Sequence, residues 1–315
     1  IARGDCYQIK ITSRLRLDAY GDPIRLYRRL RQPVPYAALA CLPDNAGQAG
    51  WTLCFSPELF LRIEPNGSII TEPMKGTAPA GEEGEGEYIA EALRNDPKNR
   101  AENIMIVDLL RNDLGKIAEI GSVRVPEPFK VSRFGSVWQM TSAIYAQAKN
   151  GTGAADIFHA AFPCGSITGA PKRISMQLIQ QLEDSPRGLY TGSIGYLEPC
   201  DSGLGFSGVL NVVIRTLQLQ KSETGSAPWC GVYGVGSGIV WDSDEQAEYL
   251  ECGWKTRFLS KLRPEVAIFE TLLVENRHCA LLERHLARLS HSATALNIPL
   301  DNKKAAEYFT QVIAE

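Results

Sequence analysis

The stretch Leu59-Phe-Leu-Arg-Ile-Glu-Pro-Asn-Gly-Ser-Ile-Ile-Thr-Glu-Pro-Met74 contains two runs of apolar and β-branched residues on either side of Asn66-Gly67. An Asn-Gly dipeptide accepts the positive φ angles that a tight two-residue turn requires. The stretch therefore predicts a β-hairpin, and with it an antiparallel sheet in the first third of the chain.

The residue that follows this stretch is a lysine, Lys75, where a buried strand would favour an apolar side chain. With a two-residue Asn-Gly loop, the register places Glu58 directly opposite Lys75, with their Cβ atoms about 4.5–5.5 Å apart. An ordinary cross-strand salt bridge is one interpretation. The other is a nucleophilic lysine beside a carboxyl group that delivers a proton to a leaving group.

The composition of the whole chain is that of an ordinary globular protein. Its 315 residues are 44% hydrophobic and 22% charged, with a formal net charge of −3. This balance argues against a nucleic-acid partner, which favours a basic face. No apolar run approaches the roughly 18 residues of a membrane span, so no membrane partner is expected. The eight cysteines show no metal-binding spacing, so we expect reduced thiols and a cytoplasmic location.

Strand and helix patterns follow one another irregularly along the chain and predict an α+β protein. Strands are predicted at 5–17, 37–43, 50–57, 118–125, 136–148, 192–198, 205–217 and 229–240, and helices from Asp96-Pro97 to Leu114, at 153–162, from Pro171, and from Ser243 or Asp244 to about Leu262. Arg263-Pro264 marks a boundary between a domain over 1–262 and a segment over 265–315. That segment is expected to hold a hairpin at Glu275-Asn276 and a helix from about Leu282.

Two of the predicted helices contain carboxylates suited to a hard cation. Glu102 lies where the apolar stripe of the first helix begins, and Glu248, Glu251 and Lys255 share one face of the last helix. Solvated side chains and surface ion pairs are one interpretation. The alternative is a Mg²⁺ site, because this ion is held by one or two carboxylates together with substrate oxygens.

Three turns offer groups that bind an anion. A Gly-x-Gly-x-Gly run at 234–238 precedes the last helix, and glycines at this density let backbone N–H groups approach a ligand. Ser166 lies in a tight turn before the helix of Pro171, and Tyr190 lies near a strand start. Structural turns and a buried core tyrosine are the alternatives, and neither a Walker A loop nor a dinucleotide fingerprint is present.

Taken in order, six motifs give the chain a resemblance to the chorismate-utilising enzymes. They are "PMKGT", "AENIMIVDLLRNDLG", "FPCGSITGAPK", "GLYTGSIGY", "GVGSGIVWDSD" and "AEYLECGWK", and the resemblance covers about residues 1–262. The family includes anthranilate, isochorismate and salicylate synthases and aminodeoxychorismate synthase component I. The resemblance implies two packed, mostly antiparallel β-sheets flanked by helices, and we expect the family's N-terminal segment to be absent here.

The resemblance also implies a set of site residues. The Mg²⁺ ligands of the family correspond to Glu102 and Glu251, with Glu248 close by. Where anthranilate synthase has a histidine, this chain has Gln139, so the proton-handling role of that histidine is not expected here. The residues implied as substrate ligands are Ser166, Tyr190, Arg215, Gly236, Ser237, Gly238 and Lys255.

The lysine at position 75 separates the members of this family. Anthranilate and isochorismate synthases have alanine at the corresponding position, whereas aminodeoxychorismate synthases resemble this chain. The resemblance implies that Lys75 attacks ring C2 of chorismate while Glu58 protonates the departing C4 hydroxyl. Ammonia from a glutamine amidotransferase subunit then attacks C4 and expels the lysine, giving 4-amino-4-deoxychorismate for para-aminobenzoate and folate synthesis. The alternatives are an anthranilate, isochorismate or salicylate synthase, or a non-catalytic chorismate-binding subunit.

The segment 265–315 resembles a second family. Its run "FETLLVENRHCALLERHLARLSHSATALNI" is similar to the opening of fold-type IV pyridoxal-phosphate enzymes, notably aminodeoxychorismate lyase. The chain stops before the cofactor lysine of that family, so we expect neither lyase activity nor pyridoxal phosphate here. A hairpin-and-helix appendage is the alternative.

Overall fold

The structure, a computed structural model, describes residues 1–31, 33–43, 47, 49–81, 84–134, 137–222, 227–260, 268–295, 298 and 300–314. The chain divides into two compact units, Ile1–Ser260 and Lys261–Glu315. Within the described ranges, no helix is long and apolar enough to cross a membrane.

The first unit is a mixed α+β structure built on antiparallel sheets, as the sequence predicts. Its largest sheet has six strands. The long central pair runs in register from Ile9↔Ile239 to Ala19↔Trp229. In spatial order the strands are β10 (Gly169–Ala170), β1 (Gln8–Ala19), β14 (Trp229–Ile239), β13 (Thr216–Lys221), β3 (Ala49–Ser56) and β2 (Tyr36–Pro43).

A second sheet of five strands contains the hairpin and most of the apolar core. Its buried face packs on two helices through Phe60, Ile69, Ile106, Leu110 and Ile157. In spatial order the strands are β11 (Gly195–Pro199), β12 (Phe206–Asn211), β4 (Leu59–Ile63), β5 (Ser68–Glu72) and β9 (Ile144–Gln147).

A third sheet of three strands was not predicted from the sequence. The strand expected at 136–148 is split, so that one half joins this sheet and the other half is β9. In spatial order the small sheet consists of β6 (Met74–Pro79), β8 (Val137–Thr141) and β7 (Lys130–Phe134). The strand expected at 118–125 is wrong, since that segment makes isolated bridges at Ala118 and Arg124.

Most of the predicted helices are present, and their start signals are confirmed. The Asp96 carboxylate accepts a hydrogen bond from Asn99 N at 2.7 Å, with Pro97 at the first helical position. The Asp244 carboxylate caps Ala247 N at 2.8 Å in the same way. The helices of the first unit are α1 (Pro23–Leu30, not predicted), α2 (Gly86–Asn95), α3 (Pro97–Gly115), α4 (Ala154–Ala161), α5 (Lys172–Leu182) and α6 (Glu245–Ser260).

The second unit contains a short turn and two helices. Glu275 and His278 form a bridge across Asn276-Arg277, both of which have positive φ, so the turn lies one residue later than predicted. The helices are α7 (Leu282–Ala295), which begins at the predicted residue, and α8 (Asn302–Ala314).

The hairpin exists, but its predicted register is wrong. Glu64 N donates to Ser68 O at 2.8 Å and Gly67 has φ +80°, so Pro65, Asn66 and Gly67 form a three-residue loop with glycine in the left-handed region. A bulge then shifts the pairing to Leu59↔Glu72. Pro73 ends β5 because it has no N–H for the ladder. The chain then enters β6 of the small sheet, so Lys75 is not the cross-strand partner of Glu58.

Candidate active site

Glu58 is a buried carboxylic acid at the start of β4. Its backbone is fixed on both sides, since Glu58 N donates to Ser56 Oγ at 3.2 Å and Val212 N donates to Glu58 O at 3.1 Å. Burial raises the pKa of Glu58, against a hydrogen bond from Ser166, the charges of Lys75 and Lys10 and a hydrogen bond from Met74 N–H. Its Oε1 has no hydrogen-bond partner among the described residues. Glu58 is therefore suited to hold and deliver a proton.

Lys75 reaches the same site from β6. The β6–β8 register shifts between Met74 and Thr77, so Lys75 lies in an irregular part of the ladder beside Gly76, which has φ +88°. Its side chain is 11% exposed, and its ammonium lies 3.7 Å from Oε2 of Glu102 on α3. Lys75 and Glu58 thus share one site without the cross-strand pairing, because Met74 bonds to the Glu58 carboxyl group.

The glycine run of β14 forms one wall of the site. A Cβ on Gly238 would lie 3.5 Å from Nζ of Lys75 and 2.8 Å from Nε2 of Gln8. A Cβ on Gly234 would overlap the ring of Tyr190. Gly234 is therefore required by the close approach of the Tyr190 ring, whereas a larger residue at position 238 would push the Gln8 amide away.

The end of β14 leaves backbone groups available to a ligand. Its ladder with β13 ends at Leu217↔Tyr233. Across β1, Lys10 N donates to Thr168 O rather than to β14, so Lys10↔Gly238 is a non-hydrogen-bonded pair. Gly238 N–H therefore points away from β1, and Gly236 O accepts from Nζ of Lys255 at 2.8 Å. This edge fits the predicted role of residues 236–238 in binding an anion.

The predicted substrate ligands Tyr190 and Arg215 are both close to this wall. Tyr190 is 7% exposed, with the guanidinium of Arg14 4.8 Å from its ring centroid. Burial raises its pKa. Arg215 has φ +51°, and burial lowers its pKa against the opposing effects of Tyr233 and Glu58. Arg215 therefore adds a positive charge on the Glu58 side of the site.

Ser166 lies in the short 3₁₀ turn Gly165–Ile167. It is buried, its Oγ lies 3.2 Å from Sγ of Cys164, and it hydrogen-bonds to the carboxyl group of Glu58. The turn thus places this hydroxyl beside the acid, as the predicted role near the substrate requires.

The three predicted metal ligands each have a polar partner. Glu102 faces Lys75, Glu251 forms an ion pair with Lys255, and Glu248 bonds to Ser237 and, at 2.8 Å, to Ser243. In the part of the chain that the structure describes, no three His, Cys, Asp or Glu side chains are grouped closely enough to hold a metal.

Glu102 and Glu251 nevertheless offer carboxylate oxygens, the donor type that Mg²⁺ prefers. They come from different helices, and Lys75 acts electrostatically on both. Burial raises the pKa of Glu251, but Lys255, Lys10 and Lys75 outweigh it and hold that pKa below its usual value. Glu251 is therefore an anionic oxygen donor of the kind that this ion prefers, and Glu102 offers a second carboxylate.

Two polar residues, one opposite this wall and one in the small sheet, were not predicted as site residues. Lys10 lies opposite Gly238 on β1, and burial lowers its pKa well below the usual value, as do Lys255 and Lys75. The alternation of Gln8, Lys10, Thr12 and Arg14 along β1 is the signal that was available. Gln139 is also buried, and neither atom of its amide group has a partner among the described residues.

The class of the protein follows from its match to a protein family. Residues 1–261 match the family described as chorismate binding enzymes, and the chain belongs to that family. Residues 267–315 match a second family, class IV amino-transferases, as the resemblance of the tail predicts.

Individual relatives show which members of this family the chain is similar to. Aminodeoxychorismate synthase component 1 of Klebsiella aerogenes is 41% identical over 251 residues, covering 79% of this chain and 52% of the relative. The protein of the same name from Bacillus subtilis is 37% identical over 275 residues, covering 86% and 54%. The chain thus spans about half the length of these relatives.

Solved structures support the same fold. Anthranilate synthase component I from Streptococcus pneumoniae matches with a TM-score of 0.68 and 33% identity, over 82% of this chain and 54% of that one. The menaquinone-specific isochorismate synthase from Escherichia coli matches with a TM-score of 0.66 at 23% identity, over 83% and 57%, and shows the fold alone.

Proposed function

We propose that this chain carries the synthase chemistry of aminodeoxychorismate formation, in which chorismate and ammonia give 4-amino-4-deoxychorismate and water. The observation that carries the proposal is the placement of a largely buried lysine, Lys75, in one site with a buried acid, Glu58, whose pKa is raised. The names of relatives about 40% identical support it.

In this proposal Lys75 is the nucleophile. Its amine forms a bond to ring C2 while the C4–O bond breaks, and Glu58 gives its proton to the departing hydroxyl, which leaves as water. Ammonia then forms a bond to C4 and the bond between C2 and the lysine breaks, so that the amine is recovered. The ammonium group formed on C4 gives one proton to Glu58, which restores the acid and leaves the neutral amine of the product.

The remaining residues hold the substrate and the metal. We propose that carboxylates of chorismate are bound by Arg215, Lys255 and the backbone groups of 236–238, with Tyr190 and Ser166 against the ring. Glu102 and Glu251, with Glu248 nearby, would hold Mg²⁺, which when bound offsets the charge of a substrate carboxylate.

The ammonia in this proposal comes from a glutamine amidotransferase subunit. The relatives are named "component 1", a name that implies a further component. The chain spans about half the length of these relatives. Its activity is therefore best tested with free ammonium salts, which supply ammonia without the partner subunit.

The test is incubation of the chain with chorismate, Mg²⁺ and ammonium, followed by identification of the product by mass. We expect aminodeoxychorismate from the parent and a loss of about 10³-fold or more with Lys75→Ala, since the covalent route is removed. Lys149→Ala, an exposed lysine on the loop after β9, is the matched control. Aminodeoxychorismate at the parent rate from Lys75→Ala would refute the nucleophile, and anthranilate, isochorismate or salicylate from the parent would refute the reaction.

A further inference from the structure

The side chain of Lys10 lies on the face of the sheet where Gly238, its partner on β14, has no side chain. The two residues are directly opposed in the β1–β14 ladder, so side chains at both positions lie on the same face of the sheet. Gly238 has no side chain, and the atoms nearest to its missing Cβ are Nε2 of Gln8 and Nζ of Lys75. The stem of a lysine spans several ångströms, so Lys10 reaches the pocket that contains Lys75.

The charges around Lys10 leave a positive surplus. Lys75 on β6, Lys255 and Glu251 on α6, and Glu58 before β4 all act on it electrostatically. Two carboxylates of the site already have a cation, because Glu102 pairs with Lys75 and Glu251 pairs with Lys255. The third, Glu248, bonds to the hydroxyls of Ser237 and Ser243. None of the ion pairs in the described ranges involves Lys10.

A half-buried ammonium without a counter-ion is costly to keep. Burial and two neighbouring lysines act against the charged form of Lys10. An anion that enters the pocket reverses this penalty, because it supplies the missing opposite charge. The arrangement therefore fits an anionic ligand better than it fits a structural role for the lysine.

We propose that Lys10 binds a carboxylate of the substrate and is a further substrate-positioning residue of this site. The inference rests on the proposed function in taking chorismate, a dicarboxylate, as the ligand. Lys10 reaches the ligand from β1, while Lys255 reaches it from α6, so the two lysines hold the anion from different elements.

The experiment measures chorismate binding by calorimetry in the presence of Mg²⁺ and without ammonia, so that no turnover is needed. We expect Lys10→Met to weaken binding by about tenfold or more, the loss of one charge-assisted contact. Lys10→Arg keeps the charge and should lose less. Arg16→Met removes one positive charge from an exposed position of the same strand and is the matched control, with no change expected.

A second measurement separates binding from folding. Because Lys10→Met removes an uncompensated, half-buried charge, its melting temperature should be equal to or above that of the parent. A residue needed for the fold would show the opposite result. If Lys10→Met does not fold, Lys10→Gln replaces it. Chorismate binding that is retained by Lys10→Arg and lost by Lys10→Gln then supports the same role for Lys10.

The outcomes distinguish this inference from the proposed function. Equal binding by the parent and Lys10→Met, or equal weakening by Lys10→Met and Arg16→Met, overturns the role of Lys10. Parent protein that binds no chorismate overturns both proposals. Binding that depends on Lys10, combined with a product other than aminodeoxychorismate, supports the inference and overturns the reaction.

Discussion

The ammonium of Lys75 lies 3.7 Å from a carboxylate oxygen of Glu102, on a helix rather than on the strand opposite. The same carboxylate is the proposed Mg²⁺ ligand of α3. The position of the Lys75 ammonium and the binding of Mg²⁺ therefore depend on the same side chain. Substitution of Glu102 should change both.

We expect Glu102→Gln to raise the Mg²⁺ concentration for half-maximal activity. An amide keeps the size and one oxygen but loses the negative charge that the ion requires. The shift should be at least about tenfold, the lower end of what loss of an outer-shell partner costs a metal site. Titration of the initial rate with Mg²⁺ at saturating chorismate measures it.

Asp108→Asn is the control for this prediction. Asp108 lies on the same helix but is exposed, and its carboxylate pairs with Arg111 at 2.9 Å. It should leave the Mg²⁺ dependence unchanged, because exposed ion pairs contribute little. A Glu102→Gln protein with the parent's Mg²⁺ requirement would show that Glu102 is no ligand.

The second prediction concerns Glu58 as the proton donor. Because burial raises its pKa, the protonated form persists above the usual range of a glutamic acid. The rate constant kcat should fall as the pH rises through that raised pKa. In Glu58→Gln, kcat should be lower by about 10²–10⁴-fold and this limb of the pH profile should be absent.

Stability provides an independent check on the same carboxyl group. A raised pKa in the folded state stabilises the protein below the unfolded-state pKa, about 4.3, and this contribution is lost as the pH rises through the folded pKa. Thermal melts should therefore show the melting temperature of Glu58→Gln rising relative to that of the parent as the pH increases from about 4.3 through the raised pKa. A constant difference across that range would contradict the raised pKa.

Local signals made much of the fold predictable. Asp96 before Pro97 specified the start of α3, and apolar alternation specified most strands, because caps and side-chain periodicity act within a few residues. The hairpin register failed because two features interrupt the ladder, a third loop residue and the bulge before Leu59. A shift of this kind cannot be read from the Asn-Gly dipeptide alone.

That Glu58 and Lys75 lie near each other was predictable, but the contacts that bring them together were not. Glu58 and Lys75 were paired from a register that does not exist, yet the chain brings them together through Met74. Lys10 was missed because a polar residue in an alternating strand normally faces solvent. Which face of β1 is covered depends on elements far away in sequence, so the pattern alone could not reveal it.

The third prediction concerns a buried ion pair outside the site. Asp113 on α3 is 2% exposed and pairs with Lys172 on α5 and with Lys116 at 2.8 Å. Asp113→Asn leaves Lys172 without its charge partner, so the free energy of unfolding should fall by about 3–5 kcal/mol. Glu91→Gln, which breaks the exposed pair with Arg94, should change it by less than about 0.5 kcal/mol. Urea denaturation measures both, and equal effects would contradict the argument.

The last prediction tests the wall that Gly238 forms. A methyl group at this position would meet the far ends of two flexible side chains, Gln8 and Lys75. Flexible side-chain ends can move aside, so the free energy of unfolding of Gly238→Ala should fall by no more than about 1 kcal/mol. The added Cβ would lie 3.5 Å from Nζ of Lys75, an ordinary contact, but 2.8 Å from Nε2 of Gln8, which it would displace. We expect the displaced amide to shift Lys75 from its position near Glu102, and a small misplacement of a reacting group costs about 10²-fold in rate.

Gly253→Ala on α6 is the matched control, because a Cβ there meets nothing within 4 Å. Alanine in a helix interior should raise the free energy of unfolding by about 0.5–1 kcal/mol and leave the rate unchanged. Full activity in Gly238→Ala would mean that Lys75 does not need the space beside β14. Loss of activity together with loss of the folded state would mean that the glycine is required by the sheet rather than by the lysine.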